Sequence, residues 1–262
     1  MYRSKLALGT AIVAGLAATQ IASAEGPSPR ATTAQAGLSV TPAIFISTAR
    51  AGASGSATVT NSTGRKLRMT VRARPWRQSS RTGDVAADRR RTLSGVSLSA
   101  SSFTLAAGAT RSINVTLRRV PSRRSQYGAL DVVGKPTKRR RGINVTYRLV
   151  SSLRFNPTAG ARRLRLTAGA ARVAGRGSGR TLVLRIRNAG NTVDPVGGSV
   201  NITGAGGGRS GGITAERILP GKSVDVTLAS LRGLRKGSYR ASVTLTQAGR
   251  NRLSVTRRFR IR

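Results

Sequence analysis

Hydrophobic and polar residues alternate along many short segments of this chain, and residues 143–155 form the longest such run. The apolar residues at its odd positions are Ile143, Val145, Tyr147, Leu149, Leu153 and Phe155. Ser151 is the polar exception at an odd position, and Val150 is the apolar exception at an even one. A period of two predicts a β-strand with one buried face. A strand over the whole run would be about 43 Å long, roughly twice the usual length.

The same alternation predicts further strands along the chain. The clearest covers residues 67–76, where Leu67, Met69 and Val71 share one face and arginine side chains occupy the other. A strand over residues 38–46 contains Pro42, which fits an edge strand or a crossing between two sheets. The polar stretches 77–92 and 204–212, the first rich in arginine and the second in glycine, predict loops. After residue 24 we find no helical period.

The second half of the chain repeats the pattern of the first. A strand that ends in the turn at Asn61 has a counterpart that ends at Asn188. The segment FTLAAG (103–108) corresponds to ILPG (218–221), and Tyr127 corresponds to Tyr239. Residues 253–261 close the second half as residues 143–155 close the first.

This repeat predicts two β modules, over residues 37–157 and 158–262. Each has about seven short strands with turns every 8–12 residues, which is typical of an immunoglobulin-like antiparallel β-sandwich. The predicted fold is therefore all-β, with two tandem immunoglobulin-like domains. A single large barrel is the structural alternative.

The N-terminus predicts export. Arg3 and Lys5 precede an apolar segment over residues 6–18, which is too short to span a bilayer as a helix. Small residues at 22–24 form a cleavage site, and residues 34–36 form a second candidate. We predict a signal peptide over residues 1–24 and a disordered leader over residues 25–36. The predicted location is the periplasm or the cell surface and exterior of a bacterium.

The composition excludes several kinds of chemistry. The chain has no cysteine and no histidine, which rules out disulfides, thiol nucleophiles, histidine catalysis and the usual zinc sites. Only seven acidic residues are present, and the nearest pair, Asp84 and Asp88, is surrounded by arginines that it neutralises. We predict a non-enzymatic protein without a cofactor or a metal.

The net charge of +40 predicts attraction to anionic polymers or surfaces. The candidate contacts form two basic clusters: Arg89, Arg90 and Arg91, and then Lys138, Arg139, Arg140 and Arg141. A solvated surface, or the composition of a GC-rich genome, would give the same clusters. Nucleic acid is not an expected partner, because sheet-type nucleic-acid binders interleave stacking aromatics and only 3% of this chain is aromatic.

Several segments resemble those of a known family. They are VTPAIF (40–45), ATVTN (57–61), residues 71–76, FTLAAG (103–108), the strand after Tyr127 and residues 143–157. In this order, residues 38–157 resemble the N-terminal domain of PapD-like periplasmic pilus chaperones. They also resemble the related immunoglobulin-like domain of WxL-associated surface proteins. The second module resembles only a generic immunoglobulin-like domain.

The resemblance to pilus chaperones implies a donor strand. In these chaperones the long closing strand of the first domain adds its alternate apolar residues to the core of an incomplete pilin. The matching donor residues are Ile143, Val145, Tyr147, Leu149, Leu153 and Phe155. The family also uses two cations to hold the client's C-terminal carboxylate. Here the matching positions hold Pro42 and residues 150–152, while Arg50, Arg148 and Arg154 lie nearby.

Together these observations predict an exported binding or scaffolding protein of the cell envelope. Its sheet edges would contact envelope or surface proteins, and its arginine surfaces would contact anionic cell-wall polymers or lipid headgroups. No transmembrane span is expected in the mature chain. The alternative is a periplasmic chaperone of the pilus-assembly type that acts by β-strand donation.

Overall fold

The structure is a computed structural model that describes residues 37–138 and 143–262. The predicted signal peptide and leader lie outside the described residues, as do Arg139, Arg140 and Arg141. Strands dominate the described part of the chain, accompanied by two 3-10 turns at Ala159–Ala161 and Gly177–Gly179. The predicted all-β class is confirmed. Within residues 37–138 and 143–262, no helix is long and apolar enough to cross a membrane.

Ten strands form the first sandwich. They are β1 (Leu38–Thr41), β2 (Ile44–Thr48), β3 (Ser54–Asn61), β4 (Leu67–Gln78), β5 (Val85–Ala87), β6 (Val96–Leu98), β7 (Ser102–Leu105), β8 (Thr110–Leu117), β9 (Gln126–Pro136) and β10 (Tyr147–Asn156). One sheet has the order β1-β3-β8-β6, and the other has the order β2-β10-β9-β4-β5, with β7 also paired to β4. All these pairings are antiparallel except that of β2 with β10, which is parallel.

Seven strands form the second sandwich. They are β11 (Leu166–Ala174), β12 (Thr181–Asn188), β13 (Val196–Gly204), β14 (Gly207–Glu216), β15 (Ser223–Ser230), β16 (Gly237–Gln247) and β17 (Arg250–Ile261). One sheet has the order β11-β12-β15 and the other has the order β14-β13-β16-β17. The prediction of two tandem sandwiches is confirmed.

Pro42 marks a crossing between the two sheets of the first sandwich, which is one of the two roles that its position in the sequence allowed. The strand before it, β1, pairs with β3 in one sheet, and the strand after it, β2, pairs with β10 in the other. The Thr41–Pro42 peptide bond is cis. Since proline has no N–H to donate, the ladder is interrupted where the chain leaves one sheet for the other.

Each sandwich has its own apolar core. In the first, the alternate residues Leu67, Met69 and Val71 of β4 are fully buried, together with Leu153 and Phe155 of β10. The second core is built mainly from leucine, isoleucine and valine of β12, β13, β15 and β16. The period-two pattern therefore identifies the inward face of these strands correctly.

Three predicted elements differ from the structure. The long strand begins at Tyr147 rather than at residue 143. Tyr147 lies opposite Gly134 and β9 ends at Pro136, so residues 143 and 144 have no partner residue in β9. The predicted loop 77–92 contains the end of β4 and the whole of β5. The predicted loop 204–212 is mostly strand β14, because its glycines pair through their backbone with β13. Side-chain patterns cannot indicate a strand that is made of glycine.

The end of β4 contacts the second sandwich. Gln78 donates its Nε2–H to the Arg217 carbonyl at 2.7 Å and accepts the Leu219 N–H on Oε1 at 2.9 Å. The Asp225 N–H of β15 donates to the Ser80 carbonyl at 2.8 Å. The hairpin of β4 and β5 is therefore hydrogen-bonded to the second sandwich through both side chain and backbone.

Tyr127 of β9 makes a further contact between the sandwiches. Its hydroxyl donates to the Asn191 carbonyl at 3.1 Å and lies 3.2 Å from Oδ1 of Asn156. Burial, with a smaller contribution from the Asp194 carboxylate, raises the pKa of Tyr127 to about 12. The hydroxyl is therefore a neutral donor at physiological pH.

Candidate functional site

The N-terminal part of β10 has an open edge. On one side β10 pairs with β9 from Tyr147 to Phe155, but on the other side β2 pairs only with Ser152 to Asn156. Along the described residues no strand pairs with this second edge between Tyr147 and Ser151. The open edge lies at the seam of the sandwich, because β1, the edge strand of the opposite sheet, contacts β10.

Backbone groups of two residues face this open edge. In a strand, successive residues direct their N–H and C=O groups to opposite edges. The Ser152 N–H donates to the Ala43 carbonyl at 2.9 Å, on the side of β2. Arg148 and Val150 have the same parity as Ser152, so their N–H and C=O groups face the edge on which no described strand lies. This edge can therefore accept another strand.

The structure divides the six predicted donor residues into an exposed and a buried group. Ile143 is 90% exposed and Val145 is 47% exposed. Tyr147 and Leu149 are half-buried and pack against the edge of the core. Leu153 and Phe155 are fully buried, and the Phe155 ring lies 5.5 Å from that of Phe45. The last two residues belong to the chain's own core in this structure, where a partner cannot reach them.

An ion-paired carboxylate lies on the opposite face of β10. Asp131 of β9 is only 3% exposed and accepts hydrogen bonds from Nε and Nη2 of Arg148 at 2.8 and 2.5 Å. The Nε of Arg74 lies 3.6 Å from the same carboxylate. Because Arg148 is committed to Asp131, its charge is already neutralised.

A small cleft containing several charges lies beside the C-terminal end of β10. The cavity has a volume of about 260 Å³, and Ile46, Arg154, Arg162, Asp194 and Arg217 are among its lining residues. Arg162 donates to Asp194 at 2.9 Å. Burial opposes the ionisation of Asp194, but the hydrogen bond and charge of Arg162 outweigh it and lower the pKa of this carboxyl.

The other two cations of this cleft repel each other. Burial and then the charge of Arg217 lower the pKa of Arg154. Arg217 donates Nη1–H to the Val193 carbonyl at 2.8 Å, and no described carboxylate forms an ion pair with either arginine. An anion placed between Arg154 and Arg217 would relieve this repulsion.

These cations differ from those that the sequence suggested. Pro42 and residues 150–152 supply no cation, and Arg148 is paired with Asp131. Of the three nearby arginines that were named, Arg154 alone lines the cleft. Arg217 was missed because it lies 63 positions further along the chain, on the segment that follows β14. Local patterns carry no information about such a contact.

Arg89, Arg90 and Arg91 lie far from Lys138, the one described residue of the second basic cluster predicted to bind anionic polymers. Arg89, Arg90 and Arg91 are exposed next to β5, and the first two line a cavity that also includes Trp76 and Arg148. Lys138 follows β9 at the other end of β4. The Asp88 N–H donates to the Pro75 carbonyl, and Pro75 is eight positions from Leu67, which pairs with Pro136; this corresponds to about 26 Å along β4. Within the described residues the structure brings no single polymer site together from the two clusters.

Among the described residues no group of three or more acidic side chains is placed to hold a metal ion. The candidate chemistry is therefore strand pairing, apolar contact and anion binding.

No protein-family model matches the chain, and no curated protein sequence matches it. Solved structures do match it. A chain of the chaperone–tip adhesin complex of CFA/I fimbriae biogenesis is 15% identical, with 85% of this chain and 98% of that chain covered and a TM-score of 0.51. The Class 5 fimbriae chaperone CfaA is 16% identical, with 84% and 98% covered and a TM-score of 0.51. The chain thus has the fold of PapD-like fimbrial chaperones.

Proposed function

We propose that this chain is an exported chaperone that donates the N-terminal part of β10 to a surface subunit whose own sandwich lacks a strand. One observation carries the proposal: Ile143 and Val145 are exposed in the segment that leads into β10, and Tyr147 and Leu149 share one face of β10 beside its open edge. Strand addition needs both of these features, an edge for backbone hydrogen bonds and alternate side chains for the partner's core.

The exposed donor residues can contribute substantial binding energy. Burying a valine or isoleucine side chain that was exposed yields about 1.5–3 kcal/mol. Ile143 and Val145 lie at alternate positions, so both can enter the core of one client. The backbone of Arg148 and Val150 supplies two N–H donors and two C=O acceptors for the added strand. Soluble proteins normally protect such an edge, so its exposure here favours a partner.

The buried part of the same strand holds the donor segment in place. Leu153 and Phe155 fix the second half of β10 in the first core, and Arg148 fixes its outer face through Asp131. A donor segment anchored in this way loses less conformational freedom on binding than a free peptide. The donor residues in our proposal are therefore Ile143, Val145, Tyr147 and Leu149.

The cleft at Arg154 and Arg217 is suited to the client's C-terminal carboxylate. A client strand that lies along Arg148 and Val150 ends where β2 begins, beside Ser152. Arg154 is two positions after Ser152, which is about 7 Å along the strand and within reach of an arginine side chain. A carboxylate at that point would separate the two repelling guanidinium groups and form charge-assisted hydrogen bonds with them.

Co-purification tests the donor residues. Candidate clients are exported proteins encoded beside the gene for this chain, each co-expressed with the full chain. Ile143→Asp combined with Val145→Asp is expected to reduce client recovery at least tenfold, because two carboxylates would enter an apolar core. In the wild-type complex, the amides of Arg148 and Val150 should become protected from hydrogen exchange. Arg217→Gln, tested in the same assay, should weaken client capture severalfold.

Ala106→Asp combined with Ala107→Asp is the matched control. Both residues are exposed on the turn between β7 and β8, so this variant also places two acids at exposed apolar positions, and neither residue lines the cavity that contains Arg148 and Val150. It should leave client recovery unchanged. Equal recovery with the Ile143 and Val145 variant, from a chain that is correctly folded, would refute strand donation.

The structural likeness favours strand donation over the envelope scaffold that the composition suggested. Binding of anionic polymers by Arg89, Arg90, Arg91 and Lys138 stays a prediction. Retention on isolated cell wall that falls steeply between about 50 and 200 mM salt would support it.

A further inference from the structure

A second cavity lies at the junction of the two sandwiches and is lined by arginine. Its volume is about 340 Å³, and its lining includes Arg123, Arg124, Arg163 and Arg187. The first two follow β8 in the first sandwich, and the other two belong to the second. None of the described residues that line this cavity is acidic. Four arginines thus line one concave site whose described lining carries no opposing charge.

Asn191, which is 5% exposed, fixes the two segments that carry Arg123 and Arg163. It donates Nδ2–H to the Arg123 carbonyl at 3.0 Å and to the Ala161 carbonyl at 2.8 Å. Its Oδ1 accepts the Arg163 N–H at 2.7 Å. One buried amide therefore joins both sandwiches at the positions of the two arginines. Their backbones are held in place while their guanidinium groups remain at the cavity.

Two further backbone features bring arginine to this cavity. Arg124 has a φ of 55°, a left-handed conformation that is unusual for a residue with a side chain. Such conformations cluster at functional sites. At Gly221 an added Cβ would lie 2.4 Å from Nη1 of Arg123, so the absence of a side chain leaves room for this guanidinium.

The described part of the chain provides no hydrogen-bonding or ion-pair partner for the four guanidinium groups. In the described part of the chain, none of them donates a hydrogen bond to another residue or forms an ion pair. Guanidinium groups bind phosphate oxygens through two parallel hydrogen bonds. A cavity of this size has room for more than a single phosphate, since small-molecule sites have volumes of about 300–1,000 Å³.

We infer that this cavity binds a small ligand with two or more phosphate charges and that the ligand links the two sandwiches. Arg123 and Arg124 would bind it from the first sandwich, and Arg163 and Arg187 from the second. The inference is independent of strand donation, because the cavity shares no lining residue with the open edge of β10 or with the cleft at Arg154.

Calorimetric titration of the mature chain with inorganic pyrophosphate tests this inference. Every titration is run at one ionic strength, kept constant with sodium chloride. We expect saturable binding at one site per chain and a rise in melting temperature with ligand concentration. Arg123→Gln combined with Arg163→Gln should weaken binding by about tenfold or more, because two charge-assisted contacts are lost. This variant should fold, since Asn191 contacts only the backbone at both positions.

Arg240→Gln combined with Arg258→Gln is the matched control, because it removes the same charge from an exposed pair on β16 and β17. It should leave the affinity for pyrophosphate nearly unchanged. If both double variants weaken pyrophosphate binding to a similar extent, the binding depends only on net charge and the inference is overturned. The inference would also be overturned if pyrophosphate produced no more binding to the wild-type chain than sodium chloride of equal ionic strength does. Neither result depends on a client.

Discussion

The closing strands of the two sandwiches, β10 and β17, differ in how their unpaired edges are protected. The open stretch of β10 is bordered by apolar residues, and the structure describes no side chain that covers its edge backbone. Strand β17 also lies at the edge of a sheet. There, Arg257 donates to the carbonyls of Gly169 and Ala168, at the irregularity of β11 on the neighbouring sheet.

This difference shows how the chain controls strand pairing. A bulge and an inward-turned charge are two common ways to keep an edge from pairing with another chain. The second sandwich has both, at β11 and Arg257. The first sandwich has an ion pair on the outer face of β10 but leaves the edge itself open. The openness of β10 is thus a local property rather than a general feature of these sandwiches.

The largest expected effect distinguishes the buried C-terminal part of β10 from the exposed segment that leads into this strand. Phe155→Ala should reduce the free energy of unfolding by about 3–5 kcal/mol, because it leaves a cavity beside Phe45. Val145→Ala should change it by less than about 0.5 kcal/mol, because Val145 is already half exposed. Trp76, the only tryptophan of the chain, lies on β4 and reports the first sandwich by fluorescence in urea. Similar losses for the two variants would contradict the division of β10 into an anchor and a donor segment.

The next-largest expected effect concerns Asn61 and Asn188, two buried asparagines at corresponding positions of the sequence repeat. Asn61 donates to the carbonyls of Leu105 and Ala106, and Asn188 donates to that of Ile218. Both side chains are fully buried, so substitution by alanine leaves carbonyls without a donor. Each variant should lose about 2–3 kcal/mol.

Each asparagine substitution should destabilise mainly the sandwich that contains it. Asn61→Ala should shift the unfolding transition that Trp76 reports, and Asn188→Ala should instead speed hydrogen exchange in β12 and β15. Asn114→Ala, at an exposed position on β8, should change neither by more than about 0.5 kcal/mol. If Asn188→Ala shifts the Trp76 transition as strongly as Asn61→Ala does, the sandwiches do not unfold independently.

The sequence allowed the strands and their inward faces to be predicted because alternation depends on nearest neighbours. The correspondence of Asn61 and Asn188 was likewise visible as a repeated turn. The structural basis of this correspondence could not be predicted, because the carbonyls that these side chains bind lie 44 and 30 positions away. The start of β10 was misjudged for a similar reason: alternation continues to Ile143, but pairing depends on where β9 ends.

The candidate sites were harder to predict than the strands. Ile143 is exposed and Phe155 is buried beside Phe45 of β2, although both residues fit the same alternating pattern. Arg217 and the group of four arginines at the junction come together only through contacts between the sandwiches. In a chain with 47 basic residues, arginine clusters in sequence give no indication of which arginines converge in space.

The smallest expected effect tests the protected edge of the second sandwich. Arg257→Ala should reduce stability by about 1 kcal/mol, because the freed carbonyls of Ala168 and Gly169 can be hydrated at the surface. Hydrogen exchange should accelerate in β11 and β17, and the chain should begin to self-associate as its concentration rises, since an edge has been opened. Arg258→Ala removes the same charge from the adjacent exposed position and should do neither. If both variants self-associate to the same extent, the lost charge rather than the opened edge drives the association. The contrast between β17 and β10 would then need another cause.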